Sequence, residues 1–192
     1  MLIAAYIVLA IAFGISNMVL FYRCAEITPI RLSRGLFITF LVSVVQTVLF
    51  LLGMFLGDIL RFELPTDAKA FSKTNSLIFL GLDLFVMLRM LMPYLKRESQ
   101  LPIFNLGSNS ACVAMAFATA INLLLVGLGA GFVASLAMDI HKALWPLIII
   151  LFLAGYWGLM LGRTKVNIRP RRWMIVASVL LLAVSIAAVV NA

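Results

Sequence analysis

Four polar side chains stand within long apolar stretches of this 192-residue chain, where they could bind a solute or an ion. Asn17, Gln46 and Asn122 carry carboxamides, and Asp83 carries a carboxyl group. A carboxamide oxygen is a neutral ligand for a hard cation and a hydrogen-bonding group for a polar solute. Such an amide can instead join two helices by a hydrogen bond worth about 1 kcal/mol or less. All four are candidate substrate-binding residues, and both roles stay open for the amides.

Asp83 is the sharpest of these observations, because an ionised side chain deep in a membrane costs about 3 kcal/mol or more unless it is paired or hydrated. Arg89 lies six residues further along the same stretch, which places it about 9 Å along a helix axis and on a different face. The two side chains are therefore not expected to pair. Asp83 either stays protonated or meets a cation, a donor or a water-filled cavity. An acid at this depth indicates a function, and a structural hydrogen bond is the alternative.

The stretches that carry these residues are long enough to be transmembrane helices. The chain is 65% hydrophobic and 11% charged, unlike a soluble globular domain. A helix needs roughly 20 apolar residues to cross a bilayer core, and continuous apolar runs fit helices rather than the alternating strands of a barrel. Six such stretches run over residues 2–22, 35–60, 74–95, 110–138, 144–162 and 173–191. The sequence therefore predicts an all-α, polytopic protein in a lipid bilayer.

The net charge of +8 comes mostly from basic residues between the spans, which argues against a nucleic-acid partner. The first, third and fifth loops contain ten lysines and arginines: Arg23, Arg31, Arg34, Lys96, Arg97, Arg163, Lys165, Arg169, Arg171 and Arg172. The second and fourth loops contain four: Arg61, Lys69, Lys73 and Lys142. Because cytoplasmic loops carry the excess of basic residues, both termini are expected outside the cytoplasm.

An internal repeat is visible at a spacing of 105 residues. Asn17 recurs as Asn122, and GMFLG at 53–57 recurs as GLMLG at 158–162. Each half has three spans, an odd number, so the second half would enter the membrane from the opposite side. Inverted repeats of this kind usually share a site near the bilayer midplane. The predicted units are one membrane domain, 1–192, with three-helix repeats 1–95 and 110–192.

Pairs of glycines four residues apart indicate close helix packing, because small residues let helix backbones approach each other in a membrane. These pairs are Gly53 with Gly57, Gly127 with Gly131, and Gly158 with Gly162. Small and polar residues also recur at helical spacing in the second span (Thr39, Ser43, Gln46, Gly53, Gly57) and in the fourth (Ala111, Ala114, Ala118, Asn122, Gly129). Both rows are predicted to face the interior of the bundle.

The two cysteines, Cys24 and Cys112, are too few for a disulfide framework or a four-thiolate metal site within one chain. A reduced, structural role is expected for each. The sequence contains no nucleophile elbow, phosphate-binding loop or paired-carboxylate hydrolytic site. It therefore predicts no enzymatic activity and no cofactor, and it leaves the ligands of any metal unassigned.

A family likeness spans nearly the whole chain and rests on five segments. These are AFGISNMVLF in the first span, VVQTVLFLLGMFLG in the second, IFLGLDLF in the third, AFATAINLLLVGLGAGF in the fourth and YWGLMLGR in the fifth, followed by a basic loop. Together they resemble the MntP-type manganese efflux pumps, a family of six-helix exporters. The resemblance implies inverted three-helix repeats, external termini, a place in the bacterial cytoplasmic membrane and manganese(II) as the exported cation.

The chain departs from the family pattern at the acidic positions. The family's acids in helices one to four fall on Asn17 or Met18, on Gln46, near Met87 and on Asn122. Asp83 stands where the family often has a basic residue. Manganese(II) favours carboxylate, carbonyl and water oxygens, and amides cannot offset its charge in a low dielectric. If manganese is the cargo, Asp83 must supply the missing negative charge.

Three functions are compatible with these residues. The first is a divergent exporter of a divalent cation, manganese, or of another small solute. The second is a membrane subunit that has lost transport and binds a partner membrane protein, because loss of the family acids is what loss of metal transport would leave. The third is a redox subunit similar to those of Rnf-type oxidoreductases, with Cys24 and Cys112 supplying half of an iron–sulfur site. A homo-oligomer is compatible with each.

Overall fold

The computed structural model describes residues 2–28, 30–62, 68–95, 104–133 and 140–190. These residues form six α-helices and no strand: α1 (Leu2–Ile27), α2 (Leu32–Phe62), α3 (Ala68–Leu95), α4 (Asn109–Phe132), α5 (Ile140–Arg163) and α6 (Pro170–Val190). Each helix contains a segment long and apolar enough to cross a membrane. The predicted all-α, multi-pass fold with six spans is confirmed.

Large apolar side chains cover the outside of the helices, as expected for a surface in contact with lipid. Phe37 and Trp157 expose 64% and 65% of their surface, and Val48 exposes 57%. Lipid tails are as apolar as these side chains, so their exposure carries no cost in a bilayer. The polar side chains of the spans lie mostly in the interior instead. Polar chemistry within the membrane is therefore confined to contacts between helices.

The helix ends differ most from the predicted spans at the end of α1, the start of α3 and the end of α4, and α3 begins at Ala68 rather than at residue 74. α1 continues to Ile27, beyond the predicted end at residue 22, and Arg23 and Glu26 pair across its last turns at 3.8 Å. This pair lets a charged stretch continue the helix after the apolar run has ended. α4 ends at Phe132, and the rest of the predicted fourth span, 134–138, lies outside the described residues. The charge count also used Lys96 and Arg97 and the side chains of Lys69 and Lys142, which likewise are not described.

The helices form a closed ring in which each packs on two others. The contacts run from α1 to α5, α5 to α2, α2 to α4, α4 to α3, α3 to α6, and α6 back to α1. Exchanging α1, α2 and α3 with α4, α5 and α6 leaves this set of contacts unchanged. Such a two-fold pattern is what an inverted repeat requires. The repeat itself stays a prediction.

Contacts along the helices give their relative directions. On α1 and α5 they join Gly14 with Ala154 and Tyr22 with Gly162; on α2 and α4 they join Phe50 with Gly127 and Met54 with Gly131. Residue numbers rise together in both pairs, so each pair is parallel. α2 and α5 are antiparallel, because Gly35 near the start of α2 lies against Leu159 near the end of α5. α1 and α4 therefore point in opposite directions, as do α2 and α5, which are corresponding helices of the two predicted repeats.

The ring encloses one apolar core to which all six helices contribute. A second, smaller cluster lies at the end of the ring where α2 and α4 begin. It gathers residues of four helices and of the segment before α4, among them Cys24, Ile38, Leu106, Met115 and Leu159. By the charge rule this is the predicted cytoplasmic end.

Candidate functional site

The centre of the candidate site is a pair of amides that bond to each other. Asn17 Nδ2 donates to Gln46 Oε1 at 2.7 Å, and Gln46 Nε2 donates to Asn17 Oδ1 at 2.9 Å. Asn17 is 2% exposed and Gln46 1%, and both stand near the middle of their membrane spans. α1 and α2 are second neighbours in the ring. The pair therefore crosses the interior of the ring rather than sealing a packed interface.

The amide pair can exchange its bonds for contacts with a solute. In the paired state each amide uses its oxygen and one N–H, and a second N–H on each remains. A polar solute or a cation that approaches the pair meets two acceptor oxygens and up to four donors. The site is neutral, so it favours ligands that hydrogen-bond over ligands that carry a high charge.

Hydroxyl groups extend this polar surface along α2. Thr39, Ser43 and Thr47 are buried, and Ser43 and Thr47 each donate to the carbonyl four residues earlier at 2.8 Å. Thr39 donates to the backbone carbonyls three and four residues before it on α2. A hydroxyl that donates in this way still has lone pairs with which to accept. The prediction that the polar row of α2 faces the interior is confirmed.

No hydrogen bond in the described part of the chain joins Asn122 to the amide pair. The Asn122 side chain is half-buried, and its enclosed Oδ1 has no hydrogen-bond partner among the described residues. The row of α4 that was predicted to face inward reaches the surface, because Ala114 and Ala118 are exposed. For these two residues the prediction is wrong. α4 packs on α2 through the face that carries Gly127 and Gly131. A different face of α4 from the predicted one is therefore directed toward the core.

The glycines that follow Asn122 serve two different neighbours. Gly127 and Gly131 lie against the backbone of α2, and Gly129 lies against Phe79 of α3. All three paired motifs lie at interfaces: Gly53, Gly57, Gly127, Gly131, Gly158 and Gly162 each approach the backbone of the facing helix. These contacts fit the packing role predicted for the six glycines.

The contacts of the glycines align α1 with α4 at a spacing that differs by one residue from the spacing of the sequence repeat. Gly158 lies on Met18 and Gly162 on Tyr22, whereas Gly53 lies on Leu124 and Gly57 on Leu128. α1 and α4 therefore correspond at a spacing of 106 residues, the difference between Met18 and Leu124. By these contacts Asn17 corresponds to Leu123 rather than to Asn122, and Gln46 corresponds to Leu151. Leu123 and Leu151 are buried apolar residues, so the amide pair has an apolar counterpart.

Asp83 occupies a third place, between α3 and α6. It is 1% exposed, the hydroxyl of Ser185 donates to its Oδ2, and its Oδ1 has no partner among the described residues. Arg89 is exposed on another face of α3, as expected from the spacing. Sequence reasoning missed Ser185. Its spacing of seven from Ser178, which is also buried, is the signal that could have found it.

A turn at residues 104–108 closes the end of the ring where α2 and α4 begin. Arg34 Nε donates to the carbonyl of Leu106 at 3.1 Å, and its Nη2 donates to the Gly107 carbonyl at 2.7 Å and to Asn109 Oδ1 at 2.8 Å. Leu106 is fully buried in the smaller apolar cluster. Sequence reasoning treated Arg34 only as a loop charge, because its partners lie at least 72 residues away.

Both cysteines are buried free thiols beside the 104–108 turn. Cys112 Sγ donates to the carbonyl of Leu106 at 3.7 Å, and a hydrogen bond joins Cys24 to the backbone of Phe104. These contacts fit the predicted structural role of reduced thiols. The iron–sulfur alternative needs a second chain and stays a hypothesis.

Of the four predicted site residues, only Asn17 and Gln46 are joined to each other by a hydrogen bond among the described residues. Within the described ranges, no three histidine, cysteine, aspartate or glutamate side chains gather as a metal site. Compared with protein-family models, with curated proteins and with solved structures, the chain matches none. The likeness to manganese efflux pumps therefore stays a prediction, and the geometry of the ring is the basis for a functional proposal.

Proposed function

We propose that the chain is an integral membrane transporter that exports a small cation or another small polar solute through the interior of the helix ring. The observation that carries this proposal is the buried pair of Asn17 and Gln46 near the middle of two spans, beside the hydroxyl row of α2. Polar side chains within membrane spans are rare and mark solute pathways. A merely structural amide bond does not account for the hydroxyls that continue the polar surface.

The ring divides into two tightly packed helix pairs, which suggests how transport would proceed. α1 packs on α5 and α2 packs on α4 with glycines against the backbone of the facing helix. The Asn17–Gln46 bond joins one pair to the other. Rocking of one pair against the other would break this bond and open the amides to a solute, as in transporters built from inverted repeats.

Manganese(II) is the cation that the family resemblance implies, so it is the first cargo to test. A neutral site holds a dipositive ion weakly, because amide dipoles do not offset its charge in a low dielectric. Asp83 is the acidic side chain near the middle of a described span, and no hydrogen bond links it to the amide pair. Monovalent cations and small polar solutes form the second group of cargoes to test.

The proposed location is the bacterial cytoplasmic membrane with both termini outside the cytoplasm. Reporter enzymes fused to the C-terminus test this orientation. Alkaline phosphatase, which folds in an oxidising compartment, should be active in the fusion, and a cytoplasmic fluorescent reporter should be dark. The reverse pattern would contradict the orientation without affecting the fold.

The transport proposal is tested in a manganese-sensitive bacterium that lacks its own exporter. Cells would express wild type, the Asn17→Ala variant or the Asn122→Ala variant at equal membrane levels, and elemental analysis would report cellular manganese and other cations. A Ser178→Ala variant is the matched control, because Ser178 is buried and bonds only to its own helix. Relative to cells that do not express the chain, we expect lower cellular manganese with wild type and with the Ser178→Ala control. We expect unchanged manganese with Asn17→Ala. Equal ion contents in all strains would contradict cation export.

A second candidate function is a non-transporting subunit of a larger membrane complex. The observation that favours it is that Asn17 and Gln46 satisfy each other, as amides with a purely structural role do. This function predicts that a second membrane protein co-purifies stoichiometrically from native membranes. Recovery of the chain alone, as a monomer or homo-oligomer, would contradict it.

A further inference from the structure

Asp83 is a buried acid whose hydrogen bonds are incomplete. It stands near the middle of the span of α3 and is 1% exposed. Ser185 of α6 donates to Oδ2, whereas Oδ1 has no partner among the described residues. One hydroxyl does not replace the hydration of a carboxylate, so a negative charge here needs a positive ligand.

No basic side chain in the described part of the chain supplies that positive charge. Among the side chains that the structure describes, the other ionisable ones on α3 and on the two helices packed against it are Lys73, Arg89, Tyr94, Cys112, Arg171 and Arg172. Arg89, the nearest cation in sequence, is exposed, and Arg172 lies 13 residues from Ser185, about 20 Å along α6. The ligand of Asp83 must therefore come from solution.

Ser185 can bond to Asp83 in either protonation state. Its hydroxyl has two acceptors within reach, Asp83 Oδ2 and the carbonyl of Leu181 at 3.3 Å. When Asp83 is ionised, Ser185 donates to the carboxylate. When Asp83 is protonated, its O–H can donate to Ser185 Oγ while the Ser185 proton turns to Leu181. Each state keeps one hydrogen bond between the two helices.

We propose that Asp83 is a proton-binding site, and that Ser185 turns its hydroxyl between Asp83 and Leu181 as the proton is bound and released. The proton converts Asp83 Oδ2 into a donor, and on release it passes to water. Calcium and magnesium take six or more oxygen ligands, some of them waters, whereas the side-chain oxygens joined at this site are those of the Asp83 carboxylate and Ser185 Oγ. The role of this site rests on the proposed function, because a proton bound between α3 and α6 would couple transport to a proton gradient.

The test is infrared spectroscopy of the purified full chain in lipid nanodiscs, titrated with acid and base. Wild type should show a carboxylic-acid absorption that appears at lower pH and is lost reversibly at higher pH. Asp83→Asn should lack the component of this absorption that Asp83 contributes, whereas the other six acidic residues of the chain keep theirs. Ser185→Ala should retain the Asp83 component at a shifted frequency, because the hydrogen bond is gone. The measurement needs no solute, so its result is independent of whether transport is found.

Asp58→Asn is the matched control, because Asp58 pairs with Arg61 at 2.8 Å and its loss should leave the Asp83 component unchanged. Size-exclusion profiles would verify that all variants fold alike, and Ser185→Ala keeps the test decisive if Asp83→Asn does not fold. Identical wild-type, Asp83→Asn and Ser185→Ala spectra across the folded pH range would overturn the proposal. A band that responds to sodium and not to pH would overturn it as well.

Discussion

The interface of α2 with α4 and that of α1 with α5 are built differently although they occupy matching places in the ring. On α2 and α4, glycines stand on both helices, and each meets the backbone of the other. On α1 and α5 the glycines closest to the facing backbone, Gly158 and Gly162, stand on α5, and Phe21 of α1 packs its ring on Gly155. By the contact register Phe21 takes the place of Gly127, and Gly155 takes the place of Phe50. The large residue is thus on α2 and the glycine on α4 at one interface, whereas at the other the large residue is on α1, which corresponds to α4, and the glycine is on α5, which corresponds to α2.

The two halves of the chain also differ in polarity. α1 and α2 bring Asn17 and Gln46 together, whereas the corresponding Leu123 and Leu151 are apolar and buried. The two halves therefore preserve packing but not chemistry. A solute site shared equally by both repeats would need polar groups on both sides. In this chain the amide pair belongs to the first half, and the second half has apolar residues at the corresponding positions.

The largest expected effect comes from removing the ring that fills the α1·α5 interface. Phe21 is fully buried, and Phe21→Ala should destabilise the protein by about 3–5 kcal/mol because it leaves a cavity against Gly155. Phe37→Ala is the control, since Phe37 is 64% exposed. Thermal unfolding in nanodiscs would measure both. Equal losses for the two variants would show that the ring does not support this interface.

A smaller loss is expected at the α2·α4 interface, where there is no side chain to remove. Gly53→Ala adds a methyl group 2.8 Å from the backbone nitrogen of Leu128, and overpacking of this kind costs about 1–3 kcal/mol. Gly81→Ala is the matched control, because a Cβ at Gly81 meets nothing within 4 Å. Unfolding of the two variants in the same lipid would compare them. A Gly53→Ala protein as stable as Gly81→Ala would contradict the close approach.

The hydrogen bonds of Arg34 at the predicted cytoplasmic end should contribute less to stability. Arg34→Ala removes three hydrogen bonds, some of them exposed, and should cost about 1–2 kcal/mol. Loosening of the 104–108 turn should also speed maleimide labelling of Cys24 and Cys112, the two cysteines of the chain. Arg31→Ala, at an exposed position, is the control. Unchanged labelling in Arg34→Ala would show that the turn is held by burial of Leu106 alone.

The smallest effect concerns the amide pair and sharpens the difference in polarity. Asn17→Leu alone leaves Gln46 buried without its partner, at a cost of about 1–2 kcal/mol. The double variant Asn17→Leu with Gln46→Leu copies the apolar pair of the other half and should be closer to wild-type stability. A double-mutant cycle would measure this coupling. Additive losses would indicate that the two amides do not depend on each other.

The sequence predicted the inward face of α2 correctly because polar residues at helical spacing are expensive on a lipid-facing surface. The prediction failed on α4 because alanine does not indicate which face of a helix is buried. Ala114 and Ala118 fit an exposed surface as well as a core. Depth in the membrane was also predictable, since it follows from position within a span. Gln46 and Asp83 lie near mid-span as expected, whereas Asn17 does so because α1 continues past the predicted end at residue 22.

Partners across the ring could not be read from the sequence. Asp83 bonds to a serine 102 residues away, and Arg34 bonds to a turn at least 72 residues away. Nothing in the local pattern selects these pairs, because they depend on which helices are neighbours. The spacing of α1 and α4 in the contacts differs by one residue from the spacing of the sequence repeat, and this difference also depends on which helices are neighbours. Backbone approach at the glycines sets the register, and the positions of Asn17 and Asn122 do not.

The most direct test of a solute site in one half of the ring is the release of manganese(II) from liposomes that contain the purified chain. Wild type should release the ion faster than protein-free liposomes, and the Asn17→Leu, Gln46→Leu double variant should release it no faster than the empty ones while remaining folded. Release by the double variant at the wild-type rate would contradict the claim that the amide pair is the site. Absence of release by wild type would contradict manganese as its cargo.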